Sequence, residues 1–178
     1  MNFLQLVKKR QSVRKYLDKP VPRKVLDSCI EAARLAPSAC NSQPWSFIIV
    51  DNPEMKNKVT QAAFSGFYTS NSFVKSAPAL VVVITERSKF IAAVGSFFKG
   101  TQYNLIDIGI AVEHFVLQAA EKGLGTCWLG WFNEKEVKRV LNIPKHKKVD
   151  IMISVGYPSE KKIRKKIRHN IDQIRKYI

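Results

Sequence analysis

The sequence predicts a single α+β domain, α/β-like in its alternation, with a central mixed β-sheet of about four to five strands flanked by helices. Helix signals alternate with short β-branched apolar runs along the whole chain of 178 residues. Hydrophobic residues at 46% and charged residues at 25% are ordinary globular values, which excludes disordered and fibrous classes. No repeat or linker divides the chain, so residues 1–178 are expected to share one core.

Capping residues and prolines predict five helices. Asn2 and Gln5 are spaced to form a capping box, in which the side chain of each residue accepts a hydrogen bond from the backbone amide of the other. Asparagine or proline also precedes most of the other apolar-periodic stretches. The predicted helices run from Asn2 to about Lys9, from Pro22 to about Ala36, from Asn52 to about Ala63, from Asn104 to Lys122 and from Asn133 to Leu141. The fourth is apolar nearly all round, which predicts a buried helix.

Short β-branched runs predict four strands, and an extended stretch covers Val13–Pro20. The predicted strands are Phe47–Val50, of a fully buried type, Ala79–Thr85, Thr126–Leu129 and Val149–Val155. Residues 64–78 are expected to be irregular. Residues 86–102 give no clear pattern, and we interpret them as a flexible connection or lid.

Positive charge is concentrated at the two ends of the chain, whose net charge is +16. Residues 1–24 carry eight Lys or Arg against one acid, and residues 157–178 carry eight against two. This charge distribution has three interpretations. The basic ends could be solvated surface segments, they could form a nucleic-acid-binding surface, or they could converge on a phosphate. The motifs described below favour the phosphate.

Cysteine usage and hydropathy bear on the compartment. Cys29, Cys40 and Cys127 are odd in number and lie outside any CxxC, so neither disulfides nor thiolate metal sites are expected. This cysteine usage predicts a cytoplasmic location. The uncharged runs 35–50 and 59–74 are interrupted by polar residues, so no membrane span is predicted. The first apolar stretch is too short for a signal peptide.

The common catalytic signatures GxGxxG, GxxxxGK[ST] and HExxH are missing from the sequence. His114 lies within the predicted buried helix, where a hydrogen-bonded core residue is expected rather than a base or a ligand. Cys40 and Cys127 have no partner nearby in sequence and are expected to fill space. The sequence therefore predicts neither a catalytic side chain nor a metal site.

Two polar segments precede the predicted sheet. In Arg10-Gln11-Ser12-Val13-Arg14, alternate residues of an extended chain face the same way, so two guanidiniums and a hydroxyl should share one face. That set suits a phosphate, and a solvated strand edge is the alternative. The second segment, Ala36–Phe47, has the sequence APSACNSQPWSF. Its rigid, uncharged loop suits a polyol or a heteroaromatic edge, and a simple connection anchored by Trp45 is the alternative.

Two further segments follow the predicted long helix. The run Gly123–Asn133, GLGTCWLGWFN, has Gly130 where a strand ends, a place where a ligand can approach the backbone closely. Gly156-Tyr157-Pro158 is followed six residues later by Arg164 within a basic run.

These four segments resemble the nitroreductase family of FMN-dependent oxidoreductases over essentially the full length of the chain. The RxSxR element at 10–14, the APSxxNxQPWxF element at 36–47, the GLGTCWLGWF run at 123–132 and the GYP turn with its basic segment occur in the family's order and at family-like spacing. The resemblance implies the nitroreductase-like fold and an intertwined homodimer with FMN at the interface. The short connection between Thr85 and Gln102 departs from the family and leaves the substrate class open.

The resemblance also implies a role for each site residue. Arg10 and Arg164 would hold the FMN phosphate, with Lys162 and Ser12 assisting. Arg14 would lie near the N1–C2 carbonyl edge, where a fixed cation raises the flavin potential. Pro37, Ser38 and Asn41 would come from the partner subunit, Asn71 would contact the pyrimidine edge, and the backbone of Gly130 and Trp131 would approach N5. The implied cofactor-binding residues are Arg10, Gln11, Ser12, Arg14, Pro37, Ser38, Asn41, Asn71, Leu129, Gly130, Trp131, Lys162 and Arg164.

The implied activity is hydride transfer from NAD(P)H to small oxidants (nitroaromatics, quinones or flavins) by a ping-pong mechanism in which FMN carries the chemistry. A specialised flavin-handling or dehalogenating enzyme on the same fold is the alternative, and a basic nucleic-acid-binding module is a more remote one. Aromatic side chains of the two irregular segments either roof the substrate site or fill the core. They are Phe64, Phe67, Tyr68, Phe73, Phe97 and Phe98.

Overall fold

The computed structural model describes residues 1–86, 100–160 and 162–178. Its helices are α1 (Phe3–Lys9), α2 (Arg23–Arg34), α3 (Pro53–Ala63), α4 (Tyr103–Glu121), α5 (Glu134–Val140) and α6 (Ile171–Ile174), with 3-10 segments at Ala39–Asn41 and Gly66–Ser76. Its strands are β1 (Trp45–Val50), β2 (Ala79–Thr85), β3 (Gly125–Leu129) and β4 (Lys148–Gly156). The lid expected between 86 and 102, including Phe97 and Phe98, falls mainly on residues 87–99, which lie outside the described residues.

The four strands form one antiparallel sheet in the order β1-β2-β4-β3. The α+β class is confirmed, but the expectation of a mixed sheet is wrong for these strands. Within the described ranges, a parallel pairing occurs only at the bridge between Ser12 and Thr126, on the edge of β3. Sequence could not give the strand directions because each connection contains a helix and is long enough to return the chain in either sense.

The burial of the strands follows their place in the sheet. Every residue of the central strand β2 is buried, as its continuous apolar run predicts. The sequence also predicts a fully buried strand at Phe47–Val50, but only Val50 is buried, because β1 lies at a sheet edge. Apolar composition therefore identified both strands without distinguishing centre from edge.

The predicted helix starts at Asn2, Asn52 and Asn133 are confirmed. The Asn2 side chain accepts a hydrogen bond from the Gln5 amide at 2.9 Å, and the Gln5 side chain accepts one from the Asn2 amide at 2.9 Å. Asn52 and Asn133 each accept a hydrogen bond from the amide three residues later. Such caps satisfy amide donors that have no partner within the helix, and each contributes about 1 kcal/mol.

The core lies on both faces of the sheet. One cluster packs α2 and α4 against one face, and the other packs α3 and α5 against the opposite face. Representative fully buried members are Leu26, Val83 and Phe115 in the first cluster and Val59, Val82 and Val137 in the second. The alternation of Val82 and Val83 between the clusters reflects the two-residue period of a strand.

The long helix α4 differs from its sequence-based description. Val112 and Phe115 are buried as expected, but Ile106 is 50% exposed and Leu105 is 42% exposed. One face of α4 packs against α2 and the sheet, and Leu105 and Ile106 of its first turn remain exposed. None of the described helices is both long and apolar enough to span a membrane.

Candidate functional site

The segment after α1 is held along the edge of the sheet by main-chain hydrogen bonds. The Val13 amide donates to the Thr126 carbonyl at 2.8 Å, and the Leu17 amide donates to the Tyr157 carbonyl at 2.8 Å. The Ser159 amide donates to the Lys15 carbonyl at 3.1 Å. Residues 11–17 are thus fixed between β3 and the turn after β4, as an extended stretch should be.

Two glycines allow this close approach. A Cβ atom on Gly125 would lie 2.6 Å from Val13 Cγ2, and one on Gly156 would lie 2.4 Å from Pro78 Cδ. Contacts this short force a neighbouring atom to move. The glycines of the GLGT and GYP motifs therefore leave the space into which the Arg10–Arg14 element and its surroundings pack.

The buried side chain of Tyr16 connects residues 11–17 to β4 by hydrogen bonds. Its hydroxyl donates to the Val13 carbonyl at 2.8 Å and lies 2.7 Å from Ser154 Oγ on β4. Burial raises the pKa of the Tyr16 phenol, because the low-dielectric interior disfavours its anion. Tyr16 was not predicted to have this role, although a single tyrosine within a basic, extended stretch was a signal for it.

The basic C-terminal segment folds back onto the Arg10–Arg14 element. The Arg164 amide donates to Gln11 Oε1 at 3.1 Å, and Gln11 Nε2 donates to the Lys162 carbonyl at 3.0 Å. The Arg164 guanidinium also bonds the Ser12 carbonyl. These residues border a hollow of about 190 Å³, the basic hollow, whose lining includes Gln11, Ser12, Arg14, Lys162 and Arg164.

Arg10 lies beside this hollow rather than inside it. It ends α1, and its Nε lies 3.7 Å from Glu113 Oε1 on α4, in a neighbouring apolar hollow of about 360 Å³. Alternation had placed Arg10 on one face with Ser12 and Arg14, but the helix end turns it towards α4. Arg10 Nε is buried and has no hydrogen-bond acceptor among the described residues. A buried donor of this kind is costly unless an acceptor occupies the site.

Other charges around Arg10 confirm that cations are concentrated here. The Lys166 ammonium bonds the Arg10 carbonyl. Burial lowers the pKa of Lys166, and repulsion from Arg10, Arg168 and Arg164 lowers it further. Burial raises the pKa of the Glu113 carboxyl, and the charges of Arg10, His114 and Lys166 oppose that shift. The two basic chain ends therefore converge, and the cluster has more positive than negative charge.

A set of polar and aromatic residues, the polar wall, stands next to the basic hollow and consists of Asn71, Trp131, Phe67 and Phe73. Asn71 Nδ2 donates to the Trp131 carbonyl at 3.1 Å, and Trp131 Nε1 donates to the Phe67 carbonyl at 3.3 Å. The Arg14 guanidinium carbon lies 5.8 Å from the Phe73 ring centre, within range of a cation–π contact. Residues 66–76, expected to be irregular, thus form a 3-10 segment that contacts Trp131, which follows Gly130 and lies two residues after Leu129 ends β3.

The aromatic residues of the predicted roof divide between core and surface. Phe64 is 6% exposed and packs in the core, whereas Phe67 is 95% exposed. Tyr68 packs against Trp131, with ring centres 5.2 Å apart. The core interpretation is confirmed for Phe64, and the roof interpretation stays a prediction for the exposed Phe67 and for Tyr68.

The Pro37–Asn41 loop lies away from the basic hollow of its own chain. It is tied to Asp107 of α4, whereas Arg10 contacts Glu113 of the same helix. The two acids are six positions apart on the helix, which corresponds to about 9 Å along the axis and about 120° around it. The structure therefore brings most of the sequence-predicted residues together but leaves Pro37, Ser38 and Asn41 on another face. Neither Asp107 nor Glu113 was predicted as a site residue, although a carboxylate within an otherwise apolar helix is a signal that the sequence contains.

His114 and Cys127 lie where a structural role suits them. His114 Nδ1 is 3.2 Å from the Ala32 carbonyl. Cys127 is buried, and burial raises the pKa of its thiol, which disfavours the nucleophilic thiolate. Cys40 is exposed on the polar loop.

Comparison with known proteins connects this geometry to a family. The model of the nitroreductase family matches residues 7–157. A protein of Methanothermobacter thermautotrophicus, provisionally named NADH dehydrogenase/NAD(P)H nitroreductase, is 32% identical over 164 residues, which cover 90% of this chain and 79% of that protein. Iodotyrosine deiodinase of Thermotoga neapolitana is 28% identical over 177 residues, which cover 88% of this chain and 89% of that protein.

Solved structures agree with the sequence matches. An FMN-dependent nitroreductase of Clostridium difficile R20291 superposes with a TM-score of 0.73 at 30% identity, covering 96% of this chain and 94% of that one. A nitroreductase family protein of Clostridium difficile 630 gives a TM-score of 0.81 at 28% identity, covering 99% of this chain and 98% of that one. On this match of sequence, fold and site geometry, the chain belongs to the nitroreductase family and is an oxidoreductase.

Proposed function

We propose that this chain is an FMN-dependent oxidoreductase that uses NAD(P)H to reduce small oxidants such as nitroaromatics, quinones or flavins. The observation that carries the proposal is the convergence of both basic chain ends on one hollow beside the end of β3. A location in the cytoplasm is part of the proposal and is supported by the unpaired state of Cys29, Cys40 and Cys127.

A phosphate group fits the basic end of the site. Arg10 offers a buried Nε without an acceptor among the described residues, and Arg164 and Lys162 border the hollow. Charge-assisted hydrogen bonds from guanidiniums to phosphate are among the strongest in proteins. Glu160 also lines the hollow, but it pairs with Lys15 at 2.8 Å, so its charge is already offset. We propose that Arg10, Lys162 and Arg164 hold the FMN phosphate and that Ser12 adds a hydrogen bond.

The polar wall fits the edge of a flavin ring. When bound, FMN would supply a hydride-accepting atom, so this chain's residues need only hold the ring and tune its potential. Arg14 would set a fixed positive charge beside the ring, which favours its reduced form. Asn71 would present its amide to the pyrimidine edge. Gly130 is exposed and has no side chain of its own, so its backbone is accessible.

We propose that a second copy of the chain completes the site. The basic hollow, at about 190 Å³, is smaller than ordinary cofactor pockets of about 300–1,000 Å³. The Pro37–Asn41 loop, with its polar side chains, lies on another face and would reach the flavin of the partner. Apolar residues at the two chain ends and in the first turn of α4 are exposed, and we propose that the partner covers them. They include Phe3, Leu4, Leu105, Ile106, Ile163, Ile167, Ile171 and Ile174.

The visible spectrum and the kinetics of the purified protein test the proposal. We expect flavin absorption bands, bleaching by NADH or NADPH, and parallel double-reciprocal plots when nicotinamide and oxidant are varied. Parallel lines indicate that the two substrates use one place in turn. A protein that binds no FMN at micromolar concentration would refute the cofactor, and intersecting lines would refute the ping-pong scheme alone. Dilution should release flavin and monomer together, as mass action requires.

Reductive dehalogenation is a second candidate. Its support is the 28% identity, over 177 residues, to the iodotyrosine deiodinase of Thermotoga neapolitana. The measurement that separates the candidates is iodide release from iodotyrosine by the dithionite-reduced protein, run beside nitroaromatic reduction with NAD(P)H. Faster iodide release would favour dehalogenation, and turnover of the nitroaromatic without iodide release would exclude it.

A further inference from the structure

The loop between α2 and β1 has a strained backbone. Cys40, Asn41 and Gln43 adopt φ values of 53°, 49° and 47°, in the left-handed region that residues other than glycine seldom occupy. Asn tolerates this region, but Cys and Gln adopt it less readily. Such conformations persist only where the surrounding structure imposes them, and they cluster at functional sites.

Part of the loop's conformation is imposed from within. The Gln43 amide donates to Ser38 Oγ at 2.9 Å, and Gln43 Nε2 donates to Asn41 Oδ1 at 2.9 Å. These bonds shape the loop but do not fix its place on the protein. A further attachment to the body of the protein is needed to hold it in one orientation.

The carboxylate of Asp107 provides such an attachment. Asp107 lies on α4 and is 3% exposed. One of its oxygens accepts a hydrogen bond from the Ala39 amide at 3.1 Å, and the other accepts one from the Ser42 hydroxyl at 3.3 Å. Among the described residues, no cation lies within ion-pair distance of it, and the two loop donors offset the cost of burying its carboxylate.

We propose that Asp107 is a positioning residue that clamps the Ser38–Gln43 loop in the orientation needed to contact flavin bound by a second copy of the chain. This inference rests on the proposed function. The carboxylate touches neither the basic hollow nor the polar wall, and its effect on the flavin passes through the loop. Removing it frees a strained loop to relax, so that Ser38 and Asn41 no longer meet the partner's flavin in one fixed arrangement.

Substitutions at both ends of the clamp separate this role from general stability. Asp107→Leu removes both acceptors and should weaken FMN and riboflavin binding alike, by about tenfold. Asp107→Asn should restore binding, because its amide oxygen accepts from the Ala39 amide and its NH₂ donates to Ser42 Oγ. Ser42→Ala removes one bond and should have a smaller effect, about threefold. It keeps the test decisive if Asp107→Leu does not fold.

A matched control addresses simple destabilisation. Thr60→Val removes a buried hydroxyl that donates to the Lys56 carbonyl within α3, away from the loop. It should lower the free energy of unfolding while leaving flavin affinity and the visible circular dichroism of bound FMN unchanged. Asp107→Leu should alter that spectrum. If Asp107→Leu binds FMN with the affinity and the spectrum of the original protein, the inference is refuted and the proposed function stands.

A mixed dimer tests whether the loop acts on the partner's flavin. Chains carrying Asp107→Leu and chains carrying Arg10→Ala are co-expressed with different affinity tags, and the heterodimer is isolated. If the loop serves the partner, one site has an intact Arg10 and an intact clamp, so we expect one FMN bound per dimer with the original affinity. If the loop serves its own chain, both sites are impaired, and this result would overturn the inference. Failure of the unsubstituted protein to bind FMN would instead overturn the proposed function.

Discussion

Two regions that we assign to flavin binding are held in place by different means. Residues 11–17 are fixed by main-chain hydrogen bonds to the sheet and by two glycines that leave room for them. Residues 38–43 are held by side chains, chiefly the Asp107 carboxylate and the Ser38 hydroxyl, and Cys40, Asn41 and Gln43 among them adopt left-handed backbone angles. A segment paired with a sheet tolerates most side-chain changes that keep its backbone in place. A loop clamped by side chains depends on a few individual atoms.

This difference matches the parts of the flavin that each region would contact. A phosphate is recognised mainly by charge, and a rigid backbone lets several cations converge on it. A ring edge is recognised by directed hydrogen bonds, which a strained and clamped loop can hold in one arrangement. Substitutions in residues 11–17, which the sheet holds, and in residues 38–43, which side chains hold, should therefore have different effects on flavin binding and on stability.

The largest expected effect concerns the phosphate. Arg10→Ala should weaken FMN binding by about 1.5–3 kcal/mol, roughly 10- to 150-fold, because it removes a charge-assisted contact. Fluorescence titration with FMN and with riboflavin measures it. Riboflavin lacks the phosphate and should be nearly indifferent to the substitution. Equal losses for the two ligands would show that Arg10 does not contact the phosphate.

The next largest effect is expected at Gly125, whose missing side chain leaves room for Val13 in residues 11–17. Gly125→Ala would place a Cβ 2.6 Å from Val13 Cγ2, and we expect a loss of about 1–3 kcal/mol in the free energy of unfolding. FMN affinity should fall as Ser12 and Arg14 shift. Gly130→Ala is the matched control, since its Cβ would meet its nearest neighbour at 3.8 Å, an ordinary contact. Denaturant unfolding that leaves the two variants equally stable would contradict the packing argument.

Arg14 should act on the chemistry more than on binding. Arg14→Gln removes the positive charge next to Phe73 and should disfavour the reduced flavin by about 1–2 kcal/mol, or about 20–40 mV for two electrons. Potentiometric titration of the bound flavin against a reference dye measures the change. Lys24→Gln is the control, because Lys24 is exposed on α2 and does not line the basic hollow. A potential unchanged in Arg14→Gln would remove Arg14 from the tuning role.

Tyr16→Phe should cost about 0.5–1.5 kcal/mol of stability by removing the hydrogen bond to the Val13 carbonyl. Its pH dependence is more specific. Because burial raises the pKa of folded Tyr16 above the usual value of 10, its contribution is fully present below pH 10 and is lost as the pH rises further. The stability difference between the original protein and Tyr16→Phe should therefore shrink above pH 10. A difference independent of pH would contradict the assigned burial.

The smallest net effect is expected for a glycine at the strained loop position Cys40, with valine there as the contrasting variant. Cys40→Gly relieves the strain at φ 53° but adds flexibility to the unfolded chain, so the net change in stability should be within about 1 kcal/mol. Cys40→Val places a β-branched residue at the same angle and should destabilise by about 1–3 kcal/mol. Thermal unfolding of both variants is the measurement. Equal stability for the glycine and valine variants would show that the loop is free to leave its left-handed conformation.

Much of the fold was readable from local signals. The caps at Asn2, Asn52 and Asn133 were assigned correctly because a capping side chain acts on an amide three residues away. The run Ala79–Thr85 was identified as a core strand because a continuous β-branched segment has to be covered on both faces. The antiparallel order of the strands and the exposure of Ile106 were not readable, because both depend on segments distant in sequence.

The sequence by itself determined the residue types of the candidate site, since cations at both chain ends, two glycine-containing runs and an uncharged proline-framed loop are all local features. Only the tertiary structure decided which of them meet. It brought Arg164 onto Gln11 and Ser12 across more than 150 positions, turned Arg10 towards Glu113, and placed Asp107 beneath the polar loop. The physical reason is that charge and hydrogen-bonding capacity belong to single residues, whereas distance and burial are set by the packing of helices on the sheet.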